Sequence, residues 1–233
     1  MLASIFFLIL GGSITHAEKI TASVIDVAPI GYVEGAEQKG LYVEILQALA
    51  AAGSFEVEIQ LTPYLRAISL VESKEIDLTI MFDTEISDKI KTKKVKLYER
   101  NLNIYTLKEG SFSSGQDFSG EIGRLTGACS DLEKNRQIKL VNLGSFDQGL
   151  NLLVKNRLRG ICGTHASIHF VCHKLRRPIR QLKGTLIAKK MLSAHFHPTA
   201  SREKVEKVMK AFQIIQQNGQ LQKIRDKYHD ADT

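Results

Sequence analysis

The chain has 233 residues, 43% of them hydrophobic and 24% charged, with 17 glycines and only 4 prolines. That composition excludes disordered, collagen-like and low-complexity classes, and the length suits one large domain or two lobes of about 100 residues each. Lys and Arg number 32 against 25 Asp and Glu, a formal charge of +7 that steers anionic partners but says nothing about fold.

The N-terminus reads MLASIFFLILGGSITHAEK, with an unbroken apolar run from Ile5 to Leu10 that is too short for a bilayer span of about 20 residues. Thr15-His16-Ala17 then sets small residues at both positions a signal peptidase reads. A secretory leader over residues 1–17 is expected, although no Lys or Arg precedes the run; a buried N-terminal strand is the alternative. No later stretch is apolar enough to span a bilayer, so an exported, periplasmic chain is expected. Its three cysteines, Cys129, Cys162 and Cys172, allow one disulfide and leave one thiol over in an oxidising compartment.

In chain order, residues 20–27 alternate apolar and β-branched positions as a strand does, closed by Ala28-Pro29. GLYVEILQALAAAG, from Gly40, places Leu41, Ile45, Ala48, Leu49 and Ala52 on one helical face, with Gly53 as the stop just past its end. Residues 55–61 alternate again. Thr62 is expected to cap a second helix with Pro63 at its first position. Residues 76–82, IDLTIMF, are nearly continuously apolar, as in a strand covered on both faces.

This β-α-β-α-β order implies a parallel sheet with helical crossovers. A loop rich in lysine follows (Lys89, Lys91, Lys93, Lys94 and Lys96), then a strand over 101–107. The Gly/Ser-rich stretch 110–120 marks a boundary. Beyond it come strands at 121–127, 138–143 and 159–163, helices at 146–156 and 165–175, and an extended segment at 186–197. Ser201 caps a long helix whose inner face is read as Val205, Val208, Met209, Phe212 and Ile215; Gly219 stops it, and a last short helix carries Leu221, Ile224 and Tyr228.

Several short motifs stand in a fixed order: Ala28-Pro29-Ile30-Gly31-Tyr32 after the first strand, the Gly40-initiated helix, Ser73-Lys74-Glu75-Ile76-Asp77-Leu78, the step Leu153 to Gly160, and Asn218-Gly219-Gln220-Leu221 before a closing IRDKY. With the element order over residues 20–228, they resemble the bacterial extracellular solute-binding proteins of family three, typified by the amino-acid-binding proteins of ABC importers. The resemblance implies an α/β, two-lobed periplasmic-binding-protein fold of type II, each lobe a mixed, mostly parallel sheet flanked by helices. Lobe one would comprise 18–107 with 194–233, and lobe two 108–193. It further implies a monomeric receptor without enzymatic activity or cofactor. Such a receptor closes by hinge bending on a small polar solute and hands it to an inner-membrane ABC permease.

Relative to that family two charged anchors are missing. Ser87, in Thr84-Glu85-Ile86-Ser87, stands where an Arg holds a ligand carboxylate, and Thr164 follows the short strand where an Asp holds an ammonium. Candidate cleft groups are therefore Tyr32 and Tyr64, as rings sandwiching a ligand or as simple packing; Arg66, as a substitute carboxylate anchor or a solvated helix charge; and Asp83, as an amine partner or a helix cap. Thr84, Ser87 and Thr164 join them by position, and Cys129 and Ser130 by lying in Gly127-Ala128-Cys129-Ser130, which looks like the family loop whose backbone N–H groups bind a carboxylate.

Cys129 and Cys162 each end a strand and could pair; free thiols or a 162–172 pair are the alternatives. His165, His169 and His173 form a helical stripe of the kind that chelates metal, and also one that ordinary surfaces carry; His195 and His197 share one side of an extended segment. The basic runs 89–96 and 176–183 read mainly as solvated faces, and export argues against a nucleic-acid partner. An alternative function on the same scaffold is a cyclohexadienyl-type dehydratase with Asp83 or Glu85 as its acid.

Overall fold

The computed structural model describes residues 18–110 and 118–230, so the expected leader over 1–17 and most of the Gly/Ser-rich boundary lie outside the described residues. The chain opens with strand β1 (Lys19–Ile25), a small hairpin of β2 (Tyr32–Glu34) and β3 (Glu37–Lys39), and helix α1 (Leu41–Gly53). Strand β4 (Glu56–Thr62), helix α2 (Tyr64–Glu72), strand β5 (Leu78–Phe82), helix α3 (Glu85–Lys89) and the 15-residue strand β6 (Lys93–Leu107) follow. Next come β7 (Gly120–Leu125), β8 (Ile138–Leu143), helix α4 (Phe146–Val154), β9 (Gly160–Gly163) and helix α5 (His165–Lys174). A second 15-residue strand, β10 (Leu182–Phe196), leads to helices α6 (Arg202–Gln217) and α7 (Gln220–Lys227).

Eight strands form one curled sheet in the order β4-β1-β5-β10-β6-β9-β7-β8. Each flank is parallel, β1 pairing with β4 and β5, and β7 with β8 and β9, as crossover helices require. The flanks join through the two long strands, which run antiparallel from Leu182 opposite Leu107 to Phe196 opposite Lys93. One end of β10 pairs with β5 at residues 192–196, and the other end of β6 pairs with β9 at residues 103–105. Between these zones Glu99–Leu102 and Ala188–Met191 pair only with each other. The two halves of the molecule are thus linked by a two-stranded ribbon, flanked by register shifts at Leu186/Ala188 and Leu192/Ser193.

Each half has its own core. In the first, Ile20, Ala22 and Val24 of β1, Ile80 of β5 and the inner face of α1 are fully or almost fully buried, with Val208, Ala211 and Ile215 of α6 closing the other side of that helix layer. In the second, Leu150 and Leu153 of α4, Ile161 of β9 and Ile168 and Val171 of α5 pack together. Beside them Cys129 and Cys162 are joined by a disulfide, and Cys172 is a buried free thiol.

The structure corrects four local expectations. Gly53 is the last residue of α1, and Ser54 takes the left-handed conformation at φ 51° that closes it; Gly53 is small because a Cβ there would lie 2.6 Å from the Phe55 ring. Thr62 does not cap α2: its hydroxyl bonds the buried Ser23 across the sheet, and Pro63 takes the cap position. The lysine-rich loop contains α3 and the first residues of β6, where Lys94 pairs with Asp88 at 2.6 Å. Met209 is 40% exposed, because α6 turns Val208, Phe212 and Ile215 inward and its next residue outward.

Candidate ligand-binding cleft

The two halves face each other across a cavity of about 90 Å³. From the β1–β5 side come Tyr42 of α1, Tyr64 at the start of α2, Phe82, and Thr84 at the cap of α3. From the β7–β9 side come Leu125, the loop Gly127–Asp131, Phe146, Cys162, Thr164 and Ser167; Lys190 and Leu102 enter from the ribbon. These groups converge because strands of both flanks end there, and the loops after them are short.

Tyr64, Thr84, Cys129, Ser130 and Thr164 therefore line one cavity. Thr84 caps α3 through a reciprocal pair with Ser87: its hydroxyl accepts from the Ser87 N–H at 3.3 Å, and the Ser87 hydroxyl accepts from the Thr84 N–H at 3.0 Å. Ser87 is fully buried by that role and does not line the cavity. Burial pushes the Tyr64 phenol above its ordinary range, with a hydrogen bond to Thr84 opposing it, and burial takes Tyr42 up to about 12. Both rings present neutral hydroxyls.

The other three candidates sit elsewhere. Arg66 is exposed and pairs with Glu75 at 3.3 Å. Asp83 points away from the cavity toward Lys94 at 3.7 Å and the fully buried His195, whose Nε2 lies 3.1 Å off in an electrostatic contact rather than an aligned hydrogen bond. Burial lowers the His195 pKa to about 4 despite Asp83, and its Nδ1 meets the Thr92 hydroxyl at 2.9 Å. Tyr32 lies on the hairpin, 5.7 Å from the Phe170 ring, and lines a separate open groove. Two of the striped histidines, His169 and His173, line that groove too, with the His229 ring tilted against His169 at 3.9 Å between centroids. Burial first, and His229 next, lower the His165 and His169 pKa values. Among the described residues no group of three or more His, Cys, Asp or Glu is arranged to hold a metal ion.

Sequence reasoning missed Arg100, which sits in the ribbon and is 2% exposed. Its guanidinium donates to the Tyr42 hydroxyl at 3.0 Å and to the Thr164 hydroxyl at 3.1 Å, one partner from each half, and it is ion-paired with the buried carboxylate of Asp230. Tyr98 donates to that carboxylate at 2.8 Å. The sequence carried no clear signal for it: Arg100 follows Lys93, Lys94, Lys96 and Glu99 just before the expected strand 101–107, where a solvated charge is the ordinary reading. Lys190 lies directly opposite Arg100 in the β10–β6 register, so the two side chains share a face. It pairs with Asp131 at 2.8 Å.

The halves touch across the cavity. A Cβ on Gly127, whose φ is +82°, would stand 2.7 Å from a Leu65 methyl and 3.1 Å from the Tyr64 ring. Lys134 pairs with Glu85 at 2.7 Å across the gap. The cleft is thus narrow and closed in this structure.

The pattern of the bacterial extracellular solute-binding proteins, family 3, matches residues 20–231. The arginine-binding extracellular protein ArtP of Bacillus subtilis is 24% identical over 217 residues, covering 87% of this chain and 82% of ArtP. Among solved structures, the arginine-, lysine-, histidine-binding protein ArtJ of Geobacillus stearothermophilus superposes with a TM-score of 0.74 at 18% identity, over 93% of this chain and 97% of ArtJ. The GluR0 ligand-binding core of Nostoc punctiforme, solved with glutamate, gives 0.76 at 13% identity, over 91% and 100%. The two lobes, the curled mostly parallel sheet and the family match over nearly all of the described chain make this protein a member of the bacterial extracellular solute-binding proteins, family 3.

Proposed function

We propose that the chain is an extracytoplasmic receptor that captures a small polar solute between its lobes by hinge closure and presents it to an inner-membrane ABC permease. One observation carries the reading: Tyr64 and Thr84 from one half and Ser130 and Thr164 from the other line a single cavity, so a solute touches both halves only when they are closed. Differential contact of that kind is what shifts an open–closed equilibrium. Lobe one is taken as 18–107 with 194–233 and lobe two as 108–193, the ribbon of β6 and β10 serving both as the hinge. Residues 1–17 act as the export leader. The receptor is taken as a monomer.

A binding role without chemistry fits the surroundings of the two acids a dehydratase would use. Asp83 faces Lys94 and His195 outside the cavity, and Glu85 is tied to Lys134. Neither acid lines the cavity, so neither is placed to transfer a proton to a leaving hydroxyl there.

Calorimetric titration with amino acids, small carboxylates, amines and sugars tests the proposal. Binding of at least one solute, weakened about tenfold or more in both Tyr64→Ala and Thr164→Val, is expected. Binding that neither substitution touches would place the site elsewhere.

A further inference from the structure

The net charge of the chain is not shared between its halves. Residues 108–193 hold 15 Lys and Arg against 6 Asp and Glu, a net +9, while the rest of the chain holds 17 against 19, a net −2. No acidic residue occurs between Asp147 and Glu203.

The fold gathers much of this excess at one end. Strands β7, β8 and β9 are parallel, and their last residues lead into the cavity, so all three begin at the end of the sheet away from the cleft. β6 finishes there and β10 starts there, with Leu182 opposite Leu107. Backbone bonds tie the loops together: the Gly120 N–H donates to the Gln137 carbonyl at 2.9 Å, and the Arg159 N–H to the Glu121 carbonyl at 2.8 Å. Leu107, Glu121 and Arg157 share one open recess between them. Arg136 precedes β8, Lys155 and Arg157 precede β9, and Arg176, Arg177 and Arg180 precede β10. All six are exposed, and among the described residues none of them is ion-paired. Against them stand Glu109 and Glu121, and Glu121 is held by Lys139 at 2.6 Å.

This end lacks what a protein partner grips. Specific protein interfaces centre on apolar or aromatic anchors that become buried. Of the large apolar side chains that stand exposed among the described residues, Val33, Leu65, Met209 and Ile214 belong to the other half, and Leu186 lies on β10 toward the ribbon. A broad cationic face without such an anchor matches a broad anionic surface, where attraction sums over many headgroups and needs no fixed partner. We infer that the end of the β7–β9 half away from the cleft is an electrostatic docking face for an anionic phospholipid membrane. It holds the exported receptor at that surface and leaves the cleft, at the opposite strand ends, free. The inference rests on the export reading and not on what the cleft binds.

Co-sedimentation of the purified chain with large unilamellar vesicles tests it. In about 0.05 M NaCl, binding is expected to phosphatidylcholine vesicles containing about one-third phosphatidylglycerol, and none to phosphatidylcholine alone. About 0.5 M NaCl, which screens charges beyond about 4 Å, should remove most of it. A cation close to such a surface contributes about fivefold to binding. The variant Arg176→Gln/Arg177→Gln/Arg180→Gln is therefore expected to bind about tenfold or more weakly, and Lys155→Gln/Arg157→Gln, on a separate loop, to be weakened as well. The control Lys96→Gln/Lys210→Gln/Lys223→Gln removes the same charge from exposed positions of the other half and should stay within about twofold of the wild type. Equal weakening by the two triple variants would mean that total charge acts and that no particular face does. Indifference to phosphatidylglycerol at low salt would overturn the inference outright. If polyglutamate, a soluble polyanion, binds through the three arginines while the vesicles do not bind, the face takes an acidic chain and the membrane assignment is wrong. None of these outcomes bears on solute capture, which the calorimetric titration tests separately.

Discussion

Replacing Asp230 by Ala leaves the Arg100 guanidinium buried between Tyr42 and Thr164 without its counter-ion. Removing one partner of a buried pair costs about 3–5 kcal/mol, so the variant's urea midpoint should fall far below that of a surface control such as Glu206→Ala, whose ion pair is solvent-exposed. An unchanged midpoint would mean that Asp230 is not the counter-ion in solution. A second residue-scale consequence concerns pH. Burial depresses the His195 pKa to about 4, and burial also lowers those of His165, His169 and His197. An unfolded histidine takes up its proton near pH 6.5, so between about pH 6.5 and 4 the unfolded chain binds more protons than the folded one. Stability is therefore full above that window and declines as pH falls through it. His195→Gln should flatten part of this decline in denaturant titrations run from pH 7.5 to 4.5; an identical slope would remove His195 as a contributor.

At the scale of elements, the start of α2 and the Gly127 loop approach each other closely across the two lobes. Gly127→Ala combines a φ of +82° with a methyl pressed against Leu65 and Tyr64. A modest loss of stability, about 1–2 kcal/mol, is expected, together with weaker solute binding, because the methyl obstructs the proposed closure. Stability loss with unchanged affinity would show that this contact does not govern closure. The elements themselves were largely legible. The helical face of α1 and the continuous burial of β5 each leave a trace that the structure follows; β1 forms where its alternation predicts, but lying between β4 and β5 it is buried without a break from Ala22 to Ile25. What escaped was decided by partners distant in sequence. Thr62 gives its hydroxyl to Ser23, 39 residues away, and Ser87 spends its own on the α3 cap. Arg100 is internal only because Asp230, at the far end of the chain, comes back to meet it. Local pattern found loops that line the cavity, with Tyr64, Thr84, Cys129, Ser130 and Thr164 on them, but not that Tyr32, Arg66, Asp83 and Ser87 turn elsewhere.

At the scale of the whole molecule, two cores are joined by a ribbon of two strands, and the proposed closure requires bending there. Outside the ribbon each long strand is fixed by a third strand, β5 on one side and β9 on the other; within it Glu99–Leu102 and Ala188–Met191 have no third strand beside them. Arg100 and Lys190, the two cations at that bend, tie it to both lobes and to the C-terminal end. The larger groove carrying Tyr32 and His169 offers a rival location for a solute. Amide chemical shifts followed by NMR during titration with whichever solute binds in the calorimetric titration decide between them. The largest perturbations are expected to fall together on Tyr64, Thr84, Ser130 and Thr164, on both lobes at once. Perturbations confined to one lobe, or centred on Tyr32 and His169, would contradict it.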